Sequence, residues 1–369
     1  VKASYEQEWQ YTYGDETDWE AEWPEELSMS YESLRPDIPE GLRVLSFDET
    51  GRYDMKNMPA SGGVLSLSEG THSLLFYNND TEFIVFDKLE SFTTARATTR
   101  TRTRSSYLGN SYSQTKNEKT VSAPDMLYGN YLEKYTPEKV VVAPDMDITM
   151  HPLVFTYVIK YEFEHGLQYV ALARGALAGM AEAVYMNSGQ TSADVATILY
   201  DCTIEDYGTQ AVVNSFGIPN YPNDNYMRTS DRYGLNLEVK LKNGIVRNFD
   251  FDVTEQVAKQ PHGGIITVSG IIISDEEGKQ GSSGFDVDVN DWGEFEDIEI
   301  KENALELLEN TLKHKRKKCI IGTGAMSDPY MPIEKVLGYT RKAMNLAYQY
   351  GFGFTLITKS DLVLRDLDL

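Results

Sequence analysis

Four arginines, Arg96, Arg100, Arg102 and Arg104, stand in a stretch rich in threonine and serine. Guanidinium groups set this close together could grip a polyanion or nucleic acid through paired N–H donors. The same composition suits a solvated loop. Asp286, Asp288 and Asn290 have the spacing of the first ligands of a calcium loop. Asp291, however, stands where that loop turns on glycine, and Asp297 where it closes with glutamate. A strand with a polar outer face is the simpler reading. His151, His165 and His262 are too widely separated to form a metal motif. Trp9, Trp19 and Trp23 lie in an acidic stretch and could stack on a ligand; packing into the first core is the better expectation. No Ser-His-Asp set can be read. The sequence therefore assigns no catalytic residue, no cofactor-binding residue and no metal ligand, and implies no cofactor.

The elements that would position these groups fall into two regimes. Residues 301–369 carry 11 Lys/Arg against 8 Asp/Glu, a net +3, while residues 1–300 hold −26 of the total −23. So sharp an asymmetry points to two units of different origin. The acidic body would repel phosphates, so nucleic acid is not expected as its partner. Cys202 and Cys319 fall in different units, which excludes a disulfide framework and a cysteine-rich metal cluster. No 18-residue uncharged apolar run occurs; Tyr169–Met186 comes nearest but contains Arg174 and Glu182. Val1 opens directly into acidic, aromatic sequence, so either the protein is cytosolic or a targeting segment has been removed.

Residues 1–300 alternate short strand-like runs with turn signals. Leu74–Tyr77 and Phe83–Phe86 flank Asn78-Asn79-Asp80, which predicts a hairpin. Leu235–Leu241 and Ile245–Val253 share one parity around Asn243-Gly244, a stronger hairpin signal. Ile265–Ile273 is β-branched and reads as a buried strand. Ala95–Gln114 reads as a long exposed loop, and Tyr169–Met186 as a strand followed by a turn. His151-Pro152 precedes a new strand run, which suggests a boundary near residue 150. The expected fold is mainly β, with domains at 1–149, 150–299 and 300–369.

Four separated blocks, Ser66–Thr81, Ser122–Gly129, Arg174–Ala181 and Asp252–Val257, resemble Bacteroidales surface lipoproteins of the fimbrillin-like, fimbrial-anchor type. The resemblance covers about residues 1–300. It implies two tandem transthyretin-like β-sandwich domains. It also implies export and anchoring at the outer membrane through a lipidated cysteine that would precede Val1. Partners would be fimbrial subunits or other surface proteins.

The tail reads as a helix over Lys301–Lys313, a strand over Cys319–Ile321, a helix over Pro332–Gln349 and a strand over Phe354–Thr358. This is a short α/β (βαβ) fragment, which demands a parallel sheet. Gly322–Tyr330 and Thr358–Asp366 resemble radical-SAM proteins related to spore photoproduct lyase, in which Ser327-Asp328-Pro329-Tyr330 would line a cofactor pocket. That family needs three closely spaced cysteines to hold its iron–sulfur cluster. The segment has Cys319 alone, and the chain stops before a barrel is complete. The tail is therefore expected to be a remnant, joined by fusion near the acidic block Glu294–Ile300.

The leading expectation is a non-enzymatic surface protein for fimbria anchoring, assembly or adhesion. It would act by strand complementation, with an open sheet edge accepting an extended segment of another subunit. The rivals are a radical-SAM enzyme, disfavoured by the cysteine count, and a glycan- or peptide-binding module. The 24 tyrosines lend the last some support.

Overall fold

Runs of alternating residues give the first strands in chain order: β1 (Lys2–Tyr5), β2 (Gly41–Asp48), β3 (Tyr53–Pro59), β4 (His72–Asn78), β5 (Ile84–Asp87), β6 (Arg96–Thr99), β7 (Thr101–Arg104), β8 (Lys119–Ser122), β9 (Tyr128–Tyr135) and β10 (Asp147–Pro152). The computed structural model describes residues 1–7, 23–25, 27–113, 118–140, 144–222, 231–279, 297–300, 303–323, 328–331 and 333–367. They divide into two compact units, Val1–Trp292 and Gly293–Leu369.

In the first unit a six-stranded sheet runs β1-β10-β9-β4-β2-β3. Its pairs are antiparallel except β1 with β10. Period-two alternation sends Leu45 and Phe47 of β2 and Leu75 and Tyr77 of β4 to one face. There they pack on Ile84 and Ala97, which belong to a three-stranded sheet β13-β6-β5, β13 being Val184–Tyr185. Leu42, Val44, Leu74 and Phe76 point the other way, into a second cluster with Tyr128 and Met150.

The larger sheet continues with β11 (Phe155–His165), β12 (Val170–Ala181), β14 (Val195–Glu205), β15 (Gly208–Ser215), β16 (Gly234–Leu241), β17 (Val246–Asp252) and β18 (Gly264–Ile272), ordered β17-β16-β12-β14-β15-β11-β18. β14 and β15 pair only near their shared hairpin, from Thr203 to Glu205. The sheet folds over at that point. Leu177, Ile198 and Leu237 from one layer meet Tyr157, Val213 and Ile266 from the other in the main core. The fold is thus mainly β, built of packed sheets.

Both outer faces of this folded sheet are covered by chain from the N-terminal part. Leu27, Tyr31 and Leu34 pack on Val158 and Ile265. β8 runs parallel to β14 and, with β7, belongs to the same sheet; the chain after β7 crosses the other outer face, where Ser106 bonds Arg174 and Glu238. The step from the six-stranded sheet to the large one falls at Leu153–Val154, between β10 and β11.

Several expectations are met. β16 and β17 form the hairpin at Asn243-Gly244, where Gly244 has φ +85° and its N–H donates to Leu241 O at 2.8 Å. β18 is the predicted strand, buried at Gly264–Ile266, Val268 and Ile271 but exposed at Ser269, Gly270 and Ile272, and Tyr169–Met186 is a strand and turn, β12 leading to β13.

Three expectations are overturned. Asn78-Asn79-Asp80 is a crossing between sheets and not a hairpin, since β4 pairs with β2 and β9 while β5 pairs with β6. The cause is Asp125, whose carboxylate accepts the N–H groups of Glu82, Phe83 and Ile84, while Asn78 binds Met126 O and Tyr128 N. The loop expected over Ala95–Gln114 contains strands β6 and β7. Asp87 and Asp201 pair with Arg96 and Arg102, which ties the segment down. The helix expected over Pro332–Gln349 is broken into Glu334–Leu337 and Tyr339–Gln349 by Gly338, at φ +61°.

The second unit has strand β19 (Asp297–Ile300), helix Ala304–His314, and the parallel pair β20 (Ile320–Thr323) and β21 (Gly353–Leu356). A small core of Leu312, Ala347 and Phe352 lies between the helices and this pair. The predicted βαβ pattern is present.

Candidate functional site

An extended segment of another chain needs backbone donors and acceptors that point outward from a sheet edge. Among the described residues β3 is one of the two outer strands of the six-stranded sheet, with β1 at the other end, and nearly all of β3 is exposed. The Met55 N–H donates to the Asp54 carboxylate at 2.9 Å instead of to β2. Strand alternation then directs the backbone groups of Tyr53, Met55 and Asn57 outward and those of Asp54, Lys56 and Met58 toward β2. Pro59 falls on the outward set, where a missing N–H costs no ladder bond. Tyr53 and Met55 are 43% and 42% exposed, so apolar side chains accompany the open edge. Beyond Pro59 the edge closes: the Ala3 N–H reaches Ser61 O, and the Gly63 N–H reaches Val1 O, each at 3.0 Å.

The arginines do different work from that expected. Arg104 is buried and donates to the carbonyls of Gly175 and Tyr200 at 3.2 and 3.4 Å. It pins the chain over the face of β12 and β14. The same covering segment meets Arg174, which is 1% exposed and whose Nη2 donates to Ser106 Oγ at 2.7 Å. Glu118 accepts from Gly179 N–H and Thr197 Oγ1 at 2.9 and 2.8 Å. Buried polar groups so matched hold a segment in one register. A polyanion cannot reach Arg104 without unfolding this face.

The Arg174–Glu238 pair was not anticipated from sequence. Glu238 sits on the polar parity of β16, which reads as solvent-facing. Its signal was available in part: an arginine inside the small-residue run of β12 must meet an acceptor if that run is buried. The Tyr161 and Tyr200 hydroxyls bond at 2.7 Å deep in the core, and burial raises both well above the usual tyrosine range. Burial likewise pushes the Cys202 thiol up, which makes it inert as a nucleophile.

The histidines have separate surroundings. His165 Nε2 meets Asp275 at 2.9 Å, His262 stacks on Phe155 at 4.5 Å, and His151 Nδ1 lies 3.0 Å from Glu6. Among the described residues no group of three or more His, Cys, Asp or Glu could hold a metal. Asp286, Asp288, Asn290 and Asp291, like Trp9 and Trp19, lie outside the described residues, and nothing is described of the Asp297 side chain. Trp23 donates to Met29 O at 2.9 Å and packs edge-on against Tyr31, so it covers the folded sheet and is not in the first core.

In the second unit Asp328 accepts from Tyr330 N–H, Thr358 Oγ1 and Lys359 N–H at 2.9, 2.6 and 2.8 Å. Thr358 beside it holds its carboxyl below the usual range. Tyr330 donates to Asp366, which also pairs with Arg365 and Arg341. The two blocks that resemble radical-SAM proteins are thus bonded to each other. Gly324–Ser327 lie outside the described residues.

Residues 27–201 match the model of a domain of unknown function, DUF5119. The chain is 24% identical over 252 residues to a Bacteroides ovatus protein named as a candidate fimbrium anchoring subunit, Fim4B, covering 65% of this chain and 73% of that one. A crystal structure of a candidate adhesin from Bacteroides ovatus superposes with a TM-score of 0.50 at 22% identity, covering 70% of this chain and 95% of that one. That likeness shows the β-sandwich fold. A further similarity, 40% over 78 residues, is to an uncharacterized protein of Methanocaldococcus jannaschii; it spans 21% of this chain and 27% of that protein.

Proposed function

We propose that this chain is a non-enzymatic cell-surface protein that anchors or assembles fimbriae, or serves adhesion, by accepting an extended segment of another subunit along β3. Its similarity to a protein named as a fimbrium anchoring subunit supports the class. The observation that carries the mechanism is the outward-facing backbone of β3, with Tyr53 and Met55 exposed beside it. Main-chain bonds would supply affinity, and alternate side chains specificity. A lipidated cysteine ahead of Val1 would hold the protein at the outer membrane. Among the described residues no helix is long and apolar enough to cross a membrane. The two sandwich lobes would meet near residue 150, and residues 300–369 would be a fused appendage without radical chemistry.

Proline at adjacent positions of β3 tests the edge. Met55→Pro removes an outward N–H, whereas Lys56→Pro removes an inward one and weakens the sheet itself. Co-expression with the fimbrial subunit of the same locus should give a complex that Met55→Pro abolishes while thermal stability is kept. A complex that survives Met55→Pro would rule out β3 as the acceptor.

A further inference from the structure

At one end of β2, β3 and β4 lies a pocket of about 330 Å³. This is within the size range of small-molecule sites. Its walls come from three paired strands and the loop before β4, so they are held on rigid elements. Asp48, Arg52, Tyr53, Asp54, Ser68 and His72 line it, with Ser46, Ser66 and Leu67 completing the wall.

The chemistry of this lining is specific. Asp48 is fixed as a turn cap: its Oδ1 accepts from Thr50 N–H, Thr50 Oγ1 and Arg52 N–H at 2.9, 2.6 and 3.0 Å. The Thr50 hydroxyl beside it holds its carboxyl below the usual range. It is therefore an ionised acceptor at neutral pH. Asp54 is oriented through the Met55 N–H. Tyr53 stands opposite Phe47 in the ladder, and its ring lies 5.9 Å from that of Phe47, on the sheet face away from Ser46, Asp54 and His72. His72 is 4% exposed; its Nε2 lies 3.0 Å from Ser68 O, and its Nδ1 has no partner. A buried ring nitrogen left unmatched is uncommon in a surface that serves packing alone.

We propose that this pocket is a carbohydrate subsite for a neutral or amino sugar. A sugar hydroxyl both donates and accepts, so it needs acceptors and donors side by side. Asp48 and Asp54 supply acceptors, Arg52 supplies donors, and the serines supply both. Leu67 adds one apolar contact to this polar lining. Two carboxylates against one guanidinium, on a chain of net charge −23, disfavour an anionic ligand such as phosphate or a sialic acid. A bare cation is a poor fit, because no group of three or more metal-ligating side chains occurs among the described residues. This inference can fail while β3 accepts a strand, because its test reads sugar binding by side chains at the strand ends.

The test is saturation-transfer NMR on the full chain with methyl glycosides of glucose, galactose and mannose, with glucosamine, and with N-acetylneuraminate. Transfer to at least one neutral or amino sugar, and none to N-acetylneuraminate, is expected. Asp54→Asn and Arg52→Ala lie at the exposed rim and should leave the thermal midpoint unchanged. Each should lower the affinity at least about tenfold, as loss of a hydrogen bond to a charged group predicts. No transfer from any neutral or amino sugar would overturn the proposal. So would binding that is indifferent to both substitutions, or transfer from N-acetylneuraminate alone.

Discussion

Arg174 of β12 and Glu238 of β16 stand directly opposite each other in the ladder, each 1% exposed, with Arg174 Nε donating to Glu238 Oε1 at 2.5 Å. Ser106 Oγ bonds both, as acceptor from Arg174 and as donor to Glu238 at 3.1 Å. An ion pair without water contributes little net stability when complete, but losing one member strands the other. Glu238→Ala should therefore destabilise the first unit by about 3–5 kcal/mol, read from the urea midpoint. The double variant Arg174→Met, Glu238→Leu should recover most of that loss.

Trypsin should spare Arg96 to Arg104 in the folded chain. Arg104 is buried and bonded to two carbonyls, and Arg96 and Arg102 are paired. The exposed run Lys315–Lys318 in the second unit should be cut first. Mass spectrometry of the earliest fragments checks this order; initial cleavage after Arg100 or Arg104 would refute it.

Alkali should unfold the first unit. Burial pushes Tyr77 and Tyr107 up to about 12, and raises Tyr161 and Tyr200 well above the usual tyrosine range. In the unfolded chain tyrosine ionises near about 10. Since the folded values lie above the unfolded one, the full stability is present below about pH 10 and declines as pH rises toward 12. Phenolate absorbance from these rings should appear together with loss of far-ultraviolet dichroism, in one step.

Acid should act on Asp275. His165 first, then Tyr169 and Lys279, bring its carboxyl down to about 2. With the folded value below the unfolded one, its contribution is present above about pH 4 and is lost as pH falls through about 2. Carbon-detected NMR should place its titration near 2 in the native chain and higher in His165→Ala.

Gly175 lies under the ring of Tyr200, so that a Cβ would come within 2.3 Å of it. Gly175→Ala should displace Tyr200 and its bond to Tyr161, at a cost of about 1–3 kcal/mol typical of overpacking. Thermal unfolding measures the cost.

The parity of Leu235–Leu241 and the Asn243-Gly244 turn made β16 and β17 legible, because both signals are local. Asn78-Asn79-Asp80 misled for the opposite reason. Its path is set by Asp125, more than forty residues away, which no local pattern reveals. The segment around Arg96–Arg104 looked like a loop because its polar side chains find partners on β12, β14 and the Asp87 strand. Hydrophilicity then reports a matched interface and not exposure to water. The carbohydrate pocket was invisible because Asp48, Tyr53 and His72 come from three strands, each unremarkable alone.

The chain segments that cover the folded sheet have a consequence for the order of assembly. Trp23, Tyr31 and Arg104 emerge from the ribosome long before Ile265, Tyr200 and Gly175, the groups they finally touch. The N-terminal half must therefore wait, with its apolar and charged covers unseated, until the C-terminal strands exist. Such a chain seats its covers only after its last strands arrive.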